Sequence, residues 1–146
     1  MLEHMESKNR EKAVGEMLRV ARKKVIIALP CGKQAKAEDE FLTVYYRLQF
    51  SRDYIFIAQH NRYGLPDCKT VRSIISRLSQ SLRKKTAVSV YGNENILLHR
   101  FLMKGFMTKN IFVDFIYRKV LLFVIPILRM FNEEPTYRKI FCIDLL

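Results

Sequence analysis

Residues 7–23 place Val14, Met17, Leu18 and Ala21 at the i, i+3, i+4, i+7 spacing that gives a helix one apolar face. Ser7 stands where it can cap the first turn. Residues 24–29 (Lys-Val-Ile-Ile-Ala-Leu) follow almost without a loop and are apolar on both faces, the pattern of a strand inside a parallel sheet covered on two sides. Pro30 and Gly32 end it. A second amphipathic helix is predicted over 36–50, with Phe41, Val44, Tyr45 and Leu48 on one face, while 52–60 is ambiguous. The turn Tyr63-Gly64-Leu65-Pro66-Asp67 leads into a third helix, where Val71, Ile74, Ile75, Leu78 and Leu82 form a stripe and Asp67 suits the N-cap.

Thr86–Tyr91 reads as a β-branched strand closed by Gly92-Asn93. Residues 95–107 and 111–131 read as helices, the second bent or divided near Pro126. A final strand is predicted over 137–145, where Phe141, Ile143 and Leu145 alternate with Cys142 and Asp144. Helices alternating with strands argue for an α/β layered fold. Three strands are too few for a complete doubly wound sheet. The apolar strand at 24–29 has no earlier strand to pair with, so the pattern predicts an exposed edge and a route to self-association.

Composition adds that the chain is globular: of 146 residues, 49% are hydrophobic and 27% charged. Its net charge of +12 favours contact with something anionic, such as a membrane surface or a phosphorylated acceptor. Nucleic acid is a weaker match, since no recognised binding module is present. Cys31, Cys68 and Cys142 are odd in number and widely spaced, without a Cys-x-x-Cys or Cys/His cluster. That spacing predicts reduced thiols in a cytoplasmic protein, with neither a disulfide framework nor a metal site. The opening Met-Leu-Glu-His-Met-Glu is acidic and lacks the apolar run of a secretory signal. The apolar run Val120–Leu128 falls well short of the roughly twenty residues a spanning helix needs. Helices 95–131 combine Arg100, Lys104, Lys109, Arg118, Lys119 and Arg129 with many Phe and Leu residues. The favoured arrangement is a helical layer packed on the sheet. The alternative is an amphipathic cover that docks peripherally on an anionic membrane.

Several short motifs, taken in order, resemble class I S-adenosylmethionine (SAM)-dependent methyltransferases, of the Rossmann-like, type 11-like group. They are Leu2-Glu3-His4, Arg19-Val20 near the end of the following helix, Pro30-Cys31-Gly32 after the strand, His60 before Tyr63-Gly64-Leu65-Pro66, and Tyr137-Arg138-Lys139 before the last strand. The resemblance implies one domain portion over 1–146, with helical insertions at about 36–82 and 93–132. Its strands would be the family's fifth, sixth and seventh, the seventh lying antiparallel between the other two. Leu2, Glu3 and His4 would lie against the cofactor. Pro30, Cys31, Gly32, His60 and Tyr63 would face a small-molecule acceptor or one linked to lipid or saccharide.

The glycine-rich turn and the acidic strand end that hold SAM in this family have no counterpart in the sequence. The resemblance therefore implies a methyltransferase portion that does not bind SAM by itself, with the acceptor unspecified. A basic protein that binds membrane without catalysis is the alternative. No catalytic base is assigned, because methyl transfer from a sulfonium is an in-line displacement that rests on positioning. His4 can orient an acceptor or act as a base, or merely shape the turn. His60 can contact the acceptor, or be a satisfied surface residue. Cys31 is better read as a small buried side chain, and His99 as structural.

Overall fold

The computed structural model describes residues 2–128 and 130–146. After a single 3-10 turn at Leu2–His4, the chain forms α1 (Ser7–Val20), β1 (Lys24–Pro30), α2 (Lys33–Phe50), α3 (Ile55–Tyr63) and α4 (Cys68–Ser81). Then come β2 (Thr86–Asn95), α5 (Ile96–Phe106), α6 (Ile111–Lys119), α7 (Leu121–Leu128) and β3 (Thr136–Leu145). Side-chain caps fix three of the helix starts. Asp67 accepts from the amides of Lys69 and Thr70, Asn95 from that of Leu97, and Asn110 from those of Phe112 and Val113. α1 begins at Ser7 itself, after Glu6 and without a side-chain cap, so the expected Ser7 cap does not form. Its other end is held by Lys84, whose ammonium donates to the carbonyls of Leu18, Arg19 and Ala21.

The sheet order is β1-β3-β2, with β3 antiparallel to both neighbours. The last strand therefore lies antiparallel between the other two, as expected. Register places Phe141 opposite Ile27 on one side and Val90 on the other, and Ile143 between Val25 and Val88. These side chains meet Val14 and Leu18 of α1 and Val71 and Ile75 of α4 in the main core.

Among the described residues, only one face of the sheet is covered. β1 alternates, with Val25, Ile27 and Leu29 buried and Lys24, Ile26 and Ala28 exposed. The expectation of a strand covered on both faces is corrected: β1 pairs with β3 alone among the described residues, and Ile26 faces out. The ambiguous 52–60 stretch resolves into the start of α3. The helix expected over 111–131 divides at Val120, between α6 and α7, rather than near Pro126. Arg129 lies outside the described residues.

Two further expectations are corrected. α2 turns inward with Ala35, Glu38, Asp39 and Leu42, leaving the expected apolar face of Phe41, Val44 and Leu48 exposed. The reason is that Glu38 and Asp39 find charged and polar partners inside. The three thiols are not all reduced either: Cys31 and Cys68 form a disulfide across 5.7 Å between Cα atoms. They are 37 positions apart, and they meet because the end of β1 abuts the start of α4. Cys142 is free.

Candidate functional site

The sequence motifs converge at one end of the sheet through interactions that the chain's own backbone supplies. Arg10, buried in α1, donates through Nε to the carbonyls of Leu2 (2.9 Å) and Met5 (3.0 Å). Its Nη2 donates to the carbonyls of Tyr63 (3.0 Å) and Gly64. One guanidinium thus ties the Leu-Glu-His turn to the Tyr-Gly-Leu-Pro turn. The Pro-Cys-Gly turn joins them through the Cys31–Cys68 disulfide and through the Gly32 amide, which donates to Pro66 O at 3.2 Å. Gly32 takes φ +90°, a left-handed conformation that suits glycine and lets the chain leave β1 at this angle.

Between these turns and the start of β3 lies a cavity of about 250 Å³. Glu3, His4, Pro30 and His60 line it, together with His99 and Tyr137. Of the expected residues, then, the structure brings Glu3, His4, Pro30 and His60 together. Leu2 is buried in the core instead, and Cys31 is spent in the disulfide. Gly32 and Tyr63 lie outside the cavity lining, Tyr63 beneath the Arg62 guanidinium.

Behind His60 stands a polar network that the sequence reading missed. Asp39, 1% exposed, accepts the Tyr137 hydroxyl on Oδ1 at 2.6 Å and meets His60 Nδ1 through Oδ2 at 2.8 Å. Burial, then the adjacent Asp39 carboxylate, pushes the Tyr137 phenol far above its ordinary value, so it stays a donor. With Tyr137 satisfying one carboxylate oxygen, the other accepts from His60. Nδ1 then carries a proton toward Asp39, and Nε2 is the ring nitrogen left without a partner in the protein. Next to Asp39, the buried Glu38 receives Arg100 in a fork, Nε at 3.1 Å from both oxygens and Nη2 at 2.6 Å from Oε2. The same guanidinium covers the Phe41 ring at 4.3 Å.

His99 stacks on Tyr137 with ring centroids 3.6 Å apart, and its Nδ1 meets Glu94 Oε1 at 2.9 Å. Burial alone would raise the Glu94 carboxyl, but the His99 hydrogen bond and the Arg138 charge hold it below its ordinary value. Burial lowers His4, and the neighbouring His60 ring lowers it further. His4 Nδ1, His60 Nε2 and His99 Nε2 are all buried without a hydrogen-bond partner in the protein. Of the missed residues, Tyr137 carried a signal as the first member of Tyr-Arg-Lys. Asp39 and Glu38 carried none, being an acidic pair in a helix whose apolar positions pointed elsewhere.

No protein-family model matches this chain, and no curated protein or solved structure matches it.

Proposed function

We propose that this chain is the acceptor-side portion of a class I SAM-dependent methyltransferase domain. The single observation that carries the reading is the strand order: a final strand inserted antiparallel between two others is what the motif resemblance implies. The reading is supported too by Glu3 and His4, Pro30, and Tyr137 and Arg138 of three of the motifs lining one cavity with His60, while Arg10 and the Gly32 amide tie the Tyr-Gly-Leu-Pro turn to the first two. On this reading the outer edge of β1 continues the sheet into the strands that hold the cofactor. Glu3 and His4 lie between cofactor and acceptor, and α2 to α4 form the acceptor's wall. Calorimetric titration with SAM tests the division of labour. The 146-residue chain alone should show no micromolar binding. Micromolar binding by this chain would overturn the assignment of the cofactor site to other strands.

A second reading is favoured by a separate observation, the apolar surface of α6 and α7. α6 buries none of its residues; it packs on α5 and α7 rather than on the sheet. The expected helical layer over the sheet therefore does not extend to α6. Ile111 is 82% exposed, Phe112 81% and Phe123 83%. Lys104, Lys109, Arg118 and Lys119 lie along the same segment, and no helix among the described residues is long and apolar enough to cross a membrane. Aromatic side chains beside lysines suit the headgroup boundary of an anionic bilayer. A cleft of about 600 Å³ between α5, α6 and α7, walled by Phe101, Val113, Ile116 and Val120, is wide enough for part of an acyl chain. The two readings are compatible in one protein acting on a lipid-linked acceptor. Co-sedimentation with anionic but not neutral liposomes, reversed by salt, is the expected outcome. Absence of sedimentation at low salt would remove this reading.

A further inference from the structure

Three side chains that offer metal ligands face one another at the cavity. One ligand atom from each of Glu3, His4 and His60 lies within 4.8 Å of the other two. The rings of His4 and His60 are 4.8 Å apart at their centroids, and His4 Nε2 is 3.7 Å from Glu3 Oε1. Ligands bound at about 2.1 Å around a tetrahedral ion sit about 3.4 Å apart. Closing the cluster onto an ion therefore takes side-chain movements of about an ångström.

The second, independent observation is the state of the His60 ring. Its side chain is 9% exposed, Asp39 takes Nδ1, and Nε2 is left buried with no partner. No protein group satisfies that nitrogen, which lines the cavity, and a buried nitrogen left without any partner costs about 1–3 kcal/mol. A carboxylate behind one nitrogen, which fixes the tautomer and aims the other at a cation, is the usual arrangement around a metal-binding histidine. Tyr137 in turn holds Asp39, so the backing carboxylate is itself oriented.

We propose that Glu3, His4 and His60 bind one divalent transition-metal cation of the zinc class, with Asp39 as the residue that positions His60. Two imidazoles and one carboxylate are borderline ligands that suit Zn²⁺ or its first-row neighbours better than Ca²⁺ or Mg²⁺, which take oxygen ligands. Three protein ligands leave a fourth position open, and all three line the cavity. An oxygen of a molecule bound there can complete the coordination and be acidified by the ion. The binding claim does not rest on the methyltransferase reading, because only the ligand set and its backing carboxylate enter it.

The test uses the whole chain, stripped with EDTA and freed of any affinity-tag histidines. Cobalt(II) added to the wild type should give one equivalent of visible d–d absorption without a thiolate charge-transfer band, and zinc should displace it. Zinc should also raise the wild-type melting temperature. His60→Gln should abolish the cobalt spectrum, and Asp39→Asn should weaken zinc binding about 10–100-fold. His99→Gln, which alters another imidazole at the same cavity whose Nε2 has no protein partner, should leave the stoichiometry at one. Absence of a d–d spectrum in the wild type would overturn the proposal without any variant having to fold. So would a thiolate band, which would place the ion on cysteine, or a spectrum that survives in folded His60→Gln.

Discussion

At Asp39 two different donors meet one buried carboxylate, the Tyr137 hydroxyl at 2.6 Å and His60 Nδ1 at 2.8 Å. Removing either leaves an oxygen of the buried Asp39 carboxylate without its donor, and such losses cost more than the hydrogen bond's net value. Tyr137→Phe keeps the ring stacked on His99 and deletes only the hydroxyl. It should destabilise the chain by about 2 kcal/mol and lower the melting temperature by about 6 °C, readable by circular dichroism. An unchanged melt would mean that the network contributes nothing to stability. Glu94 makes a pH prediction of opposite dependence to a histidine. Its folded pKa lies below the ordinary 4.5 because the His99 hydrogen bond and Arg138 outweigh burial. Its contribution is therefore present above 4.5 and is lost as pH falls through the lower folded value. Glu94→Gln should flatten the loss of stability on acidification below that point, measured by denaturant unfolding across pH. An acid limb identical to that of the wild type would contradict the assignment.

At the scale of elements, the stripes that bury against the sheet were legible because nothing competed with them. Val14 and Leu18 of α1, Val71 and Ile75 of α4, and Phe141 and Ile143 of β3 are where their periodicity puts them. α2 was misread for the converse reason. Its apolar face of Phe41, Val44 and Leu48 is outward because Glu38 and Asp39 are drawn in by Arg100, Tyr137 and His60, all distant in sequence. Periodicity weighs a residue's own hydrophobicity and has no access to partners on other elements. The candidate site was half legible on the same grounds. The resemblance singled out Glu3, His4, Pro30 and His60, whereas the Asp39 that backs His60 appears only once α2 and α3 are packed. The pattern closes the strand at Gly92-Asn93, yet β2 continues through both to Asn95. A Cβ there would stand 2.9 Å from Thr136 Cγ2 and Oγ1, on the neighbouring β3. Thr136 is buried and cannot swing away. Gly92→Ala should therefore cost about 1–3 kcal/mol, seen as a lowered urea midpoint. A midpoint equal to the wild type would show that β2 and β3 pair less closely here.

For the molecule as a whole, the disulfide and the sheet edge set the terms. The bond between Cys31 and Cys68 ties the end of β1 to α4 and closes a long loop, which restricts the unfolded chain by about 4 kcal/mol in the chain-entropy treatment. Titration of thiols in denaturant should find one per chain, Cys142, and three after reduction. Three without reductant would return the chain to the reduced state that its cysteine spacing suggested. The edge bears on the central claim. Among the described residues β1 carries a covered face, an uncovered face and one pairing partner, an arrangement that a longer sheet would complete. The most direct test is to read roughly three hundred nucleotides upstream of the Met1 codon, the coding length of half a typical domain, and to express the chain extended through that frame. The account predicts an in-frame strand, a glycine-rich turn and an acidic end to a second strand, and micromolar SAM binding by the extended protein. An upstream frame that encodes none of these, together with a 146-residue chain that is monomeric and melts cooperatively on its own, would contradict it.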